Sequence, residues 1–324
     1  MRILITGANG FVGSHVVEAF GSEHHVVAVV RSNATLPGAA ETRVVESIDA
    51  QTDWSGVLGD IDTVIHLAAR VHIMKESAPD PLEAFREVNV RGTSRLVEAC
   101  IDQGVKRFIF MSTIKVNGES TERAPFTAQD EPDPRDFYGK SKWEAEEAIR
   151  AIAAGSGLEV VVLRPTVIYG PGVKGNIERL IRMVRYGLPL PLGAVRNHRT
   201  MLSLRNLSAW LNRAVTDTTV PEVAVLLGDP QPLSTRDLVL ALGQGMGRRV
   251  LLPHVPIRLM QWGAIRLGQA TIAQRLLADL EVTPTFESYP GIENELEPSE
   301  VALRRLGRAS ARRALPRKES KCAS

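Results

Sequence analysis

Tyr138-Gly139-Lys140-Ser141-Lys142 sets a phenol and an ammonium four positions apart. On a helix that spacing puts both side chains on one face, where they can point into one cleft. A free tyrosine titrates near about 10. To give or take a proton near neutrality, its anion needs about 3 pH units of stabilisation, or about 4 kcal/mol. A neighbouring ammonium supplies part of that. A third group, a hydroxyl donating to the same reacting oxygen, would complete the site. The run Phe108-Ile109-Phe110-Met111-Ser112-Thr113 ends in two such groups. Thr113 is the first candidate, so the catalytic set is Thr113, Tyr138 and Lys142. Ser112 is its competitor for the substrate oxygen.

A second constellation lies at the start of the chain. The β-rich run Arg2–Thr6 meets Gly7-Ala8-Asn9-Gly10-Phe11-Val12-Gly13, and a helical pattern follows to Phe20. Glycines let a backbone turn tightly and approach a pyrophosphate with no Cβ between. The N-terminus of the helix then offers free N–H groups and a positive dipole end. In this strand–turn–helix context Gly7, Asn9, Gly10, Phe11, Val12 and Gly13 read as a dinucleotide-binding loop. An acid at the end of the second strand selects NAD(H) by accepting from the ribose 2′-hydroxyl. This chain has Arg31-Ser32-Asn33 there. A cation suits a 2′-phosphate, so the reading favours NADP(H), with NAD(H) as the alternative. Oxidised nicotinamide would add positive charge beside the phenol.

Several elements must position these groups. Val26–Val30 and Thr63–Leu67 are continuous apolar runs, as in strands covered on both faces. Pro81–Cys100 reads as helix, Arg107–Met111 as strand, Tyr138–Ala154 as helix and Val160–Leu163 as strand. This alternation predicts an α/β fold, a Rossmann doubly wound parallel sheet. Beyond Arg164-Pro165, loops and short helices predict a smaller, interleaved, mostly helical substrate domain. The expected division is 1–165 for the dinucleotide domain, with a returning segment near 199–230 that includes a strand at Val223–Leu227. Residues 166–198 and 231–310 form the substrate domain, and 311–324 a flexible tail. The charged run on Lys140–Glu147 reads as the wet face of its helix, and Asp136 as that helix's cap. Gln261–Leu267 is somewhat amphipathic, which suits a dimer face or a membrane-surface contact, with core packing as the favoured assignment.

The 324 residues suffice for a large core. A net charge of +2 predicts no strong pull toward nucleic acid or acidic membranes. No apolar run approaches the about 20 residues that span a bilayer, so no stable membrane insertion is expected. Cys100 and Cys322 form no metal pattern, and such sparse cysteine usage fits a cytoplasmic location.

Together these motifs resemble the extended short-chain dehydrogenase/reductases, the NAD-dependent epimerase/dehydratase family. The resemblance covers about residues 1–205. It adds His66-Leu67-Ala68-Ala69, Asn89 in Val88-Asn89-Val90-Arg91-Gly92-Thr93, and Arg164-Pro165 before Val167-Ile168-Tyr169-Gly170. It places Thr113 on the catalytic hydroxyl. By the same resemblance Leu67, Ala68 and Ala69 line the nicotinamide side of the cofactor, Asn89 braces them, and Pro165 borders the site. Ser47 and Ile48 fall at the adenine, Ser47 where the family often has Asp. Ser112 touches substrate, Asn176 reaches the substrate diphosphate, Leu192 sits near the nucleotide base, and Arg199 contacts the nucleotide. The family's usual substrate is a nucleotide sugar, UDP-linked in this subgroup, and its usual assembly is a homodimer.

The stretches Ser112–Ser120 and Asp136–Glu146 resemble bacterial polysaccharide and O-antigen enzymes. Some of those are UDP-glucose 4-epimerase-like, and some are UDP-4-keto-6-deoxy-GlcNAc 4-reductases. With Arg31 in place, the sequence weights the 4-ketoreductase above the 4-epimerase of UDP-glucose or UDP-GlcNAc. Thr113-Ile114-Lys115 lacks the Thr-Asp-Glu of dehydratases. A non-catalytic dinucleotide sensor would not need both Tyr138 and Lys142.

Overall fold

A computed structural model describes residues 1–71 and 79–312. In chain order the elements begin β1 (Arg2–Thr6), α1 (Phe11–Phe20), β2 (His25–Val30), β3 (Glu41–Val44), β4 (Thr63–His66) and α2 (Pro81–Arg86). A π-helical turn, Glu87–Gly92, leads into α3 (Thr93–Asp102), β5 (Arg107–Met111), a 3-10 turn at Ile114–Val116, α4 (Phe137–Ala153) and β6 (Glu159–Pro165). Then come β7 (Val167–Tyr169), α5 (Asn176–Arg185), β8 (Met201–Ser203), α6 (Leu204–Thr216) and β9 (Val225–Leu227). The helices α7 (Thr235–Met246), α8 (Ile257–Arg266), α9 (Ala270–Leu277) and α10 (Ser299–Arg312) complete the set.

Two compact units share these elements. The first holds Met1–Thr166, Leu204–Gly228 and Val282–Leu296. Its seven-stranded sheet runs β3-β2-β1-β4-β5-β6-β9, every neighbouring pair parallel. The chain leaves β1 toward β2 and β3, then returns to β4 on the other side. That reversal opens a crevice at the C-terminal ends of β1 and β4. β2 is apolar almost throughout, as a strand covered on both faces must be. The core on one face joins Leu4, Val27, Val64, Phe108 and Phe110 of the sheet to Leu96, Val97 and Cys100 of α3 and to Ala145 and Ile149 of α4. On α1, Gly13, Val16, Val17 and Phe20 form the buried stripe.

The second unit holds Val167–Ser203, Asp229–Glu281 and the segment from Glu297 onward. β7 and β8 pair in parallel, and α7 packs along α10 through Leu238, Leu242, Leu303 and Leu306. Tyr169 donates from its buried hydroxyl to Asp229 Oδ2 at 2.7 Å, and the other carboxylate oxygen accepts from Ser203 N at 2.9 Å. One carboxylate thereby ties the two short strands together, and burial beside it pushes the Tyr169 phenol up.

Four sequence expectations change. Residues 282–296, assigned to the substrate domain, cluster with the sheet instead. Thr285 N donates to Leu226 O and Leu226 N to Thr285 Oγ1, which holds the segment against β9. The single helix expected over Pro81–Cys100 is broken by the π turn, where Gly92 closes on the Ile48 backbone so tightly that a Cβ would sit 2.9 Å from it. Gln261–Leu267 is not core, since α8 has no buried residue. The flexible tail expected over 311–324 begins inside α10, which is helical to Arg312, and 313–324 lies outside the described residues.

Candidate active site

All six sheet-borne segments singled out for chemistry begin where a parallel strand ends. The glycine loop follows β1, Arg31 follows β2, Ser47 and Ile48 follow β3, Leu67–Ala69 follows β4, Ser112 and Thr113 follow β5, and Pro165 ends β6. Because those strands point the same way, one edge of the sheet carries them all.

Gly7 turns at φ +66°, and a Cβ there would lie 2.8 Å from Ala68 N. The turn after β1 can therefore rest against the turn after β4 only as glycine. At Gly13 a Cβ would fall 2.1 Å from Gly7 O, so α1 starts directly on the loop. Gly10 is the N-cap of α1 and offers no side chain to close it. The first N–H groups of α1 stay available to an anion. Asn9 and Gly10 are exposed, Phe11 and Val12 half-buried.

The loop after β4 is held from below. Thr6 and His66 are paired residues of β1 and β4. Thr6 Oγ1 lies 2.7 Å from His66 Nδ1 and accepts from Ala68 N at 3.2 Å. His66 Nε2 is 3.1 Å from Thr93 Oγ1. Burial, with the Lys142 charge nearby, brings His66 down to about 3, so it is neutral. Asn89, in the π turn, accepts from Arg70 N at 2.8 Å and donates to Arg70 O at 3.0 Å and to Ser141 Oγ at 2.9 Å. It thus ties the end of the β4 loop to α4.

Asp136 caps α4 by accepting from Gly139 N at 2.7 Å, which starts the helix one residue before Tyr138. Tyr138 is half-buried, with its ring 6.3 Å from that of Phe85. Lys142, one turn on, is 1% exposed. Its Nζ stands 4.0 Å from the ring centre of Phe110, a residue of β5. Among the described residues neither Tyr138 Oη nor Lys142 Nζ has a hydrogen-bond partner. Thr113 Oγ1 accepts from Lys115 N at 3.3 Å, which leaves its O–H to donate.

The electrostatics differ from the expected ones. Burial brings the Lys142 ammonium down to about 7, against the pull of Glu146. Burial and the Asp136 carboxylate push the Tyr138 phenol up, not down. Without a cofactor the phenol is therefore protonated, and the amine titrates near neutrality. The Ser112 hydroxyl is buried and directs its donated hydrogen bond inward, to Glu146 Oε1. Glu146 is not on a wet face. It is fully buried and accepts from Arg164 Nε at 3.0 Å and Nη2 at 2.7 Å, while Arg164 Nη1 donates to Asn117 Oδ1 at 3.0 Å. This bidentate pair underpins α4 where it crosses β5 and β6. Sequence reading missed it, although Glu146 is one turn beyond Lys142 on the same helix face.

Arg31 is exposed and makes no ion pair among the described residues. A groove of about 450 Å³ is lined by residues 33–36 and 39–42, which begin two positions further along the chain. Ser47 is exposed and its carbonyl accepts from Thr52 Oγ1 at 3.2 Å; Ile48 is half-buried against the core. In the second unit, Asn176 is half-buried at the first position of α5, and Leu192 is buried. Arg199 is mostly buried and donates from Nη1 to Ala278 O at 2.9 Å, and burial draws its guanidinium down.

The glycine-loop sheet with a Tyr-x-x-x-Lys helix against its fifth strand defines a short-chain dehydrogenase/reductase scaffold of the extended kind. The pattern described as "NAD dependent epimerase/dehydratase family" matches residues 3–218, and the chain belongs to that family. A UDP-glucose 4-epimerase from Vibrio cholerae is 38% identical over 284 residues, covering 86% of this chain and 86% of its own length. An N-acetyl-alpha-D-glucosaminyl-diphospho-ditrans,octacis-undecaprenol 4-epimerase from Escherichia coli O157:H7 is 26% identical over 265 residues, 81% of this chain and 77% of its own. Among solved structures, MoeE5 in complex with UDP-glucose and NAD matches with a TM-score of 0.71 at 25% identity, over 98% of this chain and 100% of its own.

Proposed function

We propose that the protein exchanges a hydride and a proton at C4 of a hexose carried on a diphosphate, with UDP as the carrier. One observation carries this reading. Tyr138 and Lys142 present a phenol and a buried ammonium, neither hydrogen-bonded among the described residues, beside the end of β5. The donor set fits a nicotinamide dinucleotide: an uncapped α1 N-terminus suits its pyrophosphate, and Lys142, with no hydrogen-bond partner among the described residues, suits vicinal ribose hydroxyls. When bound, such a cofactor accepts or supplies the C4 hydride. Lys142 then holds the ribose and, as ammonium, favours the Tyr138 anion. Tyr138 passes the proton to or from the C4 oxygen, and Thr113 donates to that oxygen. Thr6, His66 and Asn89 hold the loop carrying Leu67–Ala69 in place.

Two reactions share this chemistry. The first is 4-epimerisation of a UDP-hexose, supported by the 38% identity to a relative named for it. Tyr138 would take the proton and return it after the sugar has turned. The second is reduction of a UDP-4-keto-6-deoxy-hexosamine by NADPH, supported by Arg31 beyond β2, exposed and without an ion pair among the described residues. Purified protein with UDP-galactose and NAD⁺ tests the first, and with UDP-4-keto-6-deoxy-GlcNAc and NADPH the second. Sugar interconversion without net redox identifies the epimerase. Stoichiometric loss of reduced-nicotinamide absorbance identifies the reductase. Neither activity, from protein that binds dinucleotide, refutes the C4 assignment.

A further inference from the structure

The α8–α9 hairpin is an amphipathic element with its apolar side turned outward. On α8, Leu259, Trp262 and Ile265 recur at three-residue steps, and Leu267 follows at the tip. They are 56%, 57%, 67% and 77% exposed. Three-residue steps keep neighbouring side chains on one helix surface. Met260 and Ala264, on the opposite side, are half-buried, and α8 packs on α9. The hairpin therefore holds itself together without covering its Leu–Trp–Ile stripe. Monomeric proteins seldom leave clustered apolar residues of this size in water without a use.

The charge around the stripe is equally one-sided. From Leu238 to Ala278 the chain has five arginines, at 248, 249, 258, 266 and 275, and no acidic residue. The overall charge of +2 conceals this run. All five arginines are exposed, and none forms an ion pair among the described residues. Some other surface arginines of the same unit do pair, Arg182 with Glu178 and Arg304 with Glu300, while Arg179 and Arg308 do not among the described residues. Arg266 lies over the Trp262 ring with its Cζ 5.0 Å from the centre. An indole flanked by a guanidinium is suited to a boundary between apolar and charged surroundings.

We propose that the α8–α9 hairpin docks this protein on an anionic phospholipid bilayer. Leu259, Trp262, Ile265 and Leu267 would enter the boundary between headgroups and acyl chains, and the arginines would meet lipid phosphates. No helix of the described residues is long and apolar enough to cross a membrane, so the hairpin lies on the surface and does not span. A second copy of this chain is a poorer occupant. Meeting face to face, the two copies would set the same unpaired arginines against each other with no carboxylate in the stretch to neutralise them.

The test uses the full chain with sedimenting vesicles of phosphatidylcholine, alone or mixed with phosphatidylglycerol. Binding is expected only with the anionic lipid, with a blue shift of tryptophan emission and weakening by salt. Trp262→Phe should still bind but lose the shift, because Trp54 and Trp210 are already buried and Trp143 is half-buried beneath Arg150 and Arg164. Arg258→Ala with Arg266→Ala should lower partitioning by about 30-fold, and Leu259→Glu with Ile265→Glu should abolish it. These positions are exposed, so circular dichroism should show each variant folded. Equal or absent binding to both vesicles overturns the proposal. So does a lipid-free, concentration-dependent dimer that buries Trp262 and is lost in the double-glutamate variant.

Discussion

Replacing Lys142 with Met should stabilise the cofactor-free protein at neutral pH while destroying turnover. Burial draws the Lys142 ammonium from 10.5 to about 7. At about 1.4 kcal/mol per pH unit, that descent is worth about 5 kcal/mol against the charged folded state. Met fills similar space with no charge. It forfeits the contact between Nζ and the Phe110 ring at 4.0 Å, worth about 2 kcal/mol when desolvated. The net gain is about 3 kcal/mol at pH 7. Below about pH 7 the lysine is protonated in both folded and unfolded chains, and the whole penalty is present. Between about 7 and 10.5 the unfolded chain keeps a proton that the folded one has shed. Wild-type stability should therefore rise there by up to about 1.4 kcal/mol per pH unit. The Met variant lacks this rise, so its advantage should vanish at about pH 9 and reverse above it. Urea unfolding of both proteins across that range reads the effect directly. A Met variant no more stable than wild type at neutrality, or an advantage that does not change with pH, refutes the picture of a partnerless buried ammonium.

Tyr138→Phe should cost about 10²–10⁴-fold in turnover and leave dinucleotide affinity unchanged; undiminished turnover would remove the phenol from the reaction. Gly13→Ala brings a methyl within 2.1 Å of Gly7 O. Overpacking of this kind costs about 1–3 kcal/mol, and displacing the loop should weaken dinucleotide binding in a titration more than it lowers stability. Glu146→Gln strips Arg164 of its buried counter-charge and should cost about 3–5 kcal/mol in urea; a loss below about 1 kcal/mol would show that Arg164 is satisfied without it. His66 has its folded value lowered from 6.5 to about 3, so the unfolded chain takes up a proton first as pH falls. Wild type should lose up to about 5 kcal/mol between those values, and His66→Gln should show a flatter pH profile over the same range.

Much of the sheet was legible because its strands are buried on both faces. Val26–Val30 and Arg107–Met111 read as continuous apolar or β-rich runs, and the structure places strands there. β3 was not legible. Glu41-Thr42-Arg43-Val44 is an edge strand with no fully buried residue, so it carries no apolar signature, and its pairing is supplied by β2. The π turn at Glu87–Gly92 was equally hidden, because its cause is the Gly92–Ile48 approach, a contact across 44 positions. Periodicity reports which residues face a core, not where a distant backbone forces a helix to widen.

The same reasoning separates the site residues that were found from those that were missed. Groups that meet a ligand stand in short motifs, since one turn or one helix face must present several at once. Gly7–Gly13 and Tyr138–Lys142 are of that kind. Groups that support the site from behind need only meet each other. Ser112, Glu146 and Arg164 come from β5's end, α4 and β6, and converge through the fold. Their charges read as surface because charged residues mostly are. The available clue was positional. Glu146 is four residues past Lys142 and eight past Tyr138, so the helix face that turns the catalytic pair inward must turn Glu146 inward too. A carboxylate forced inside requires a buried cation, and Arg164 at the end of a buried strand meets that requirement. Applying the helix rule one turn further along α4 would thus have exchanged a solvated charge for the ion pair that fixes the catalytic helix.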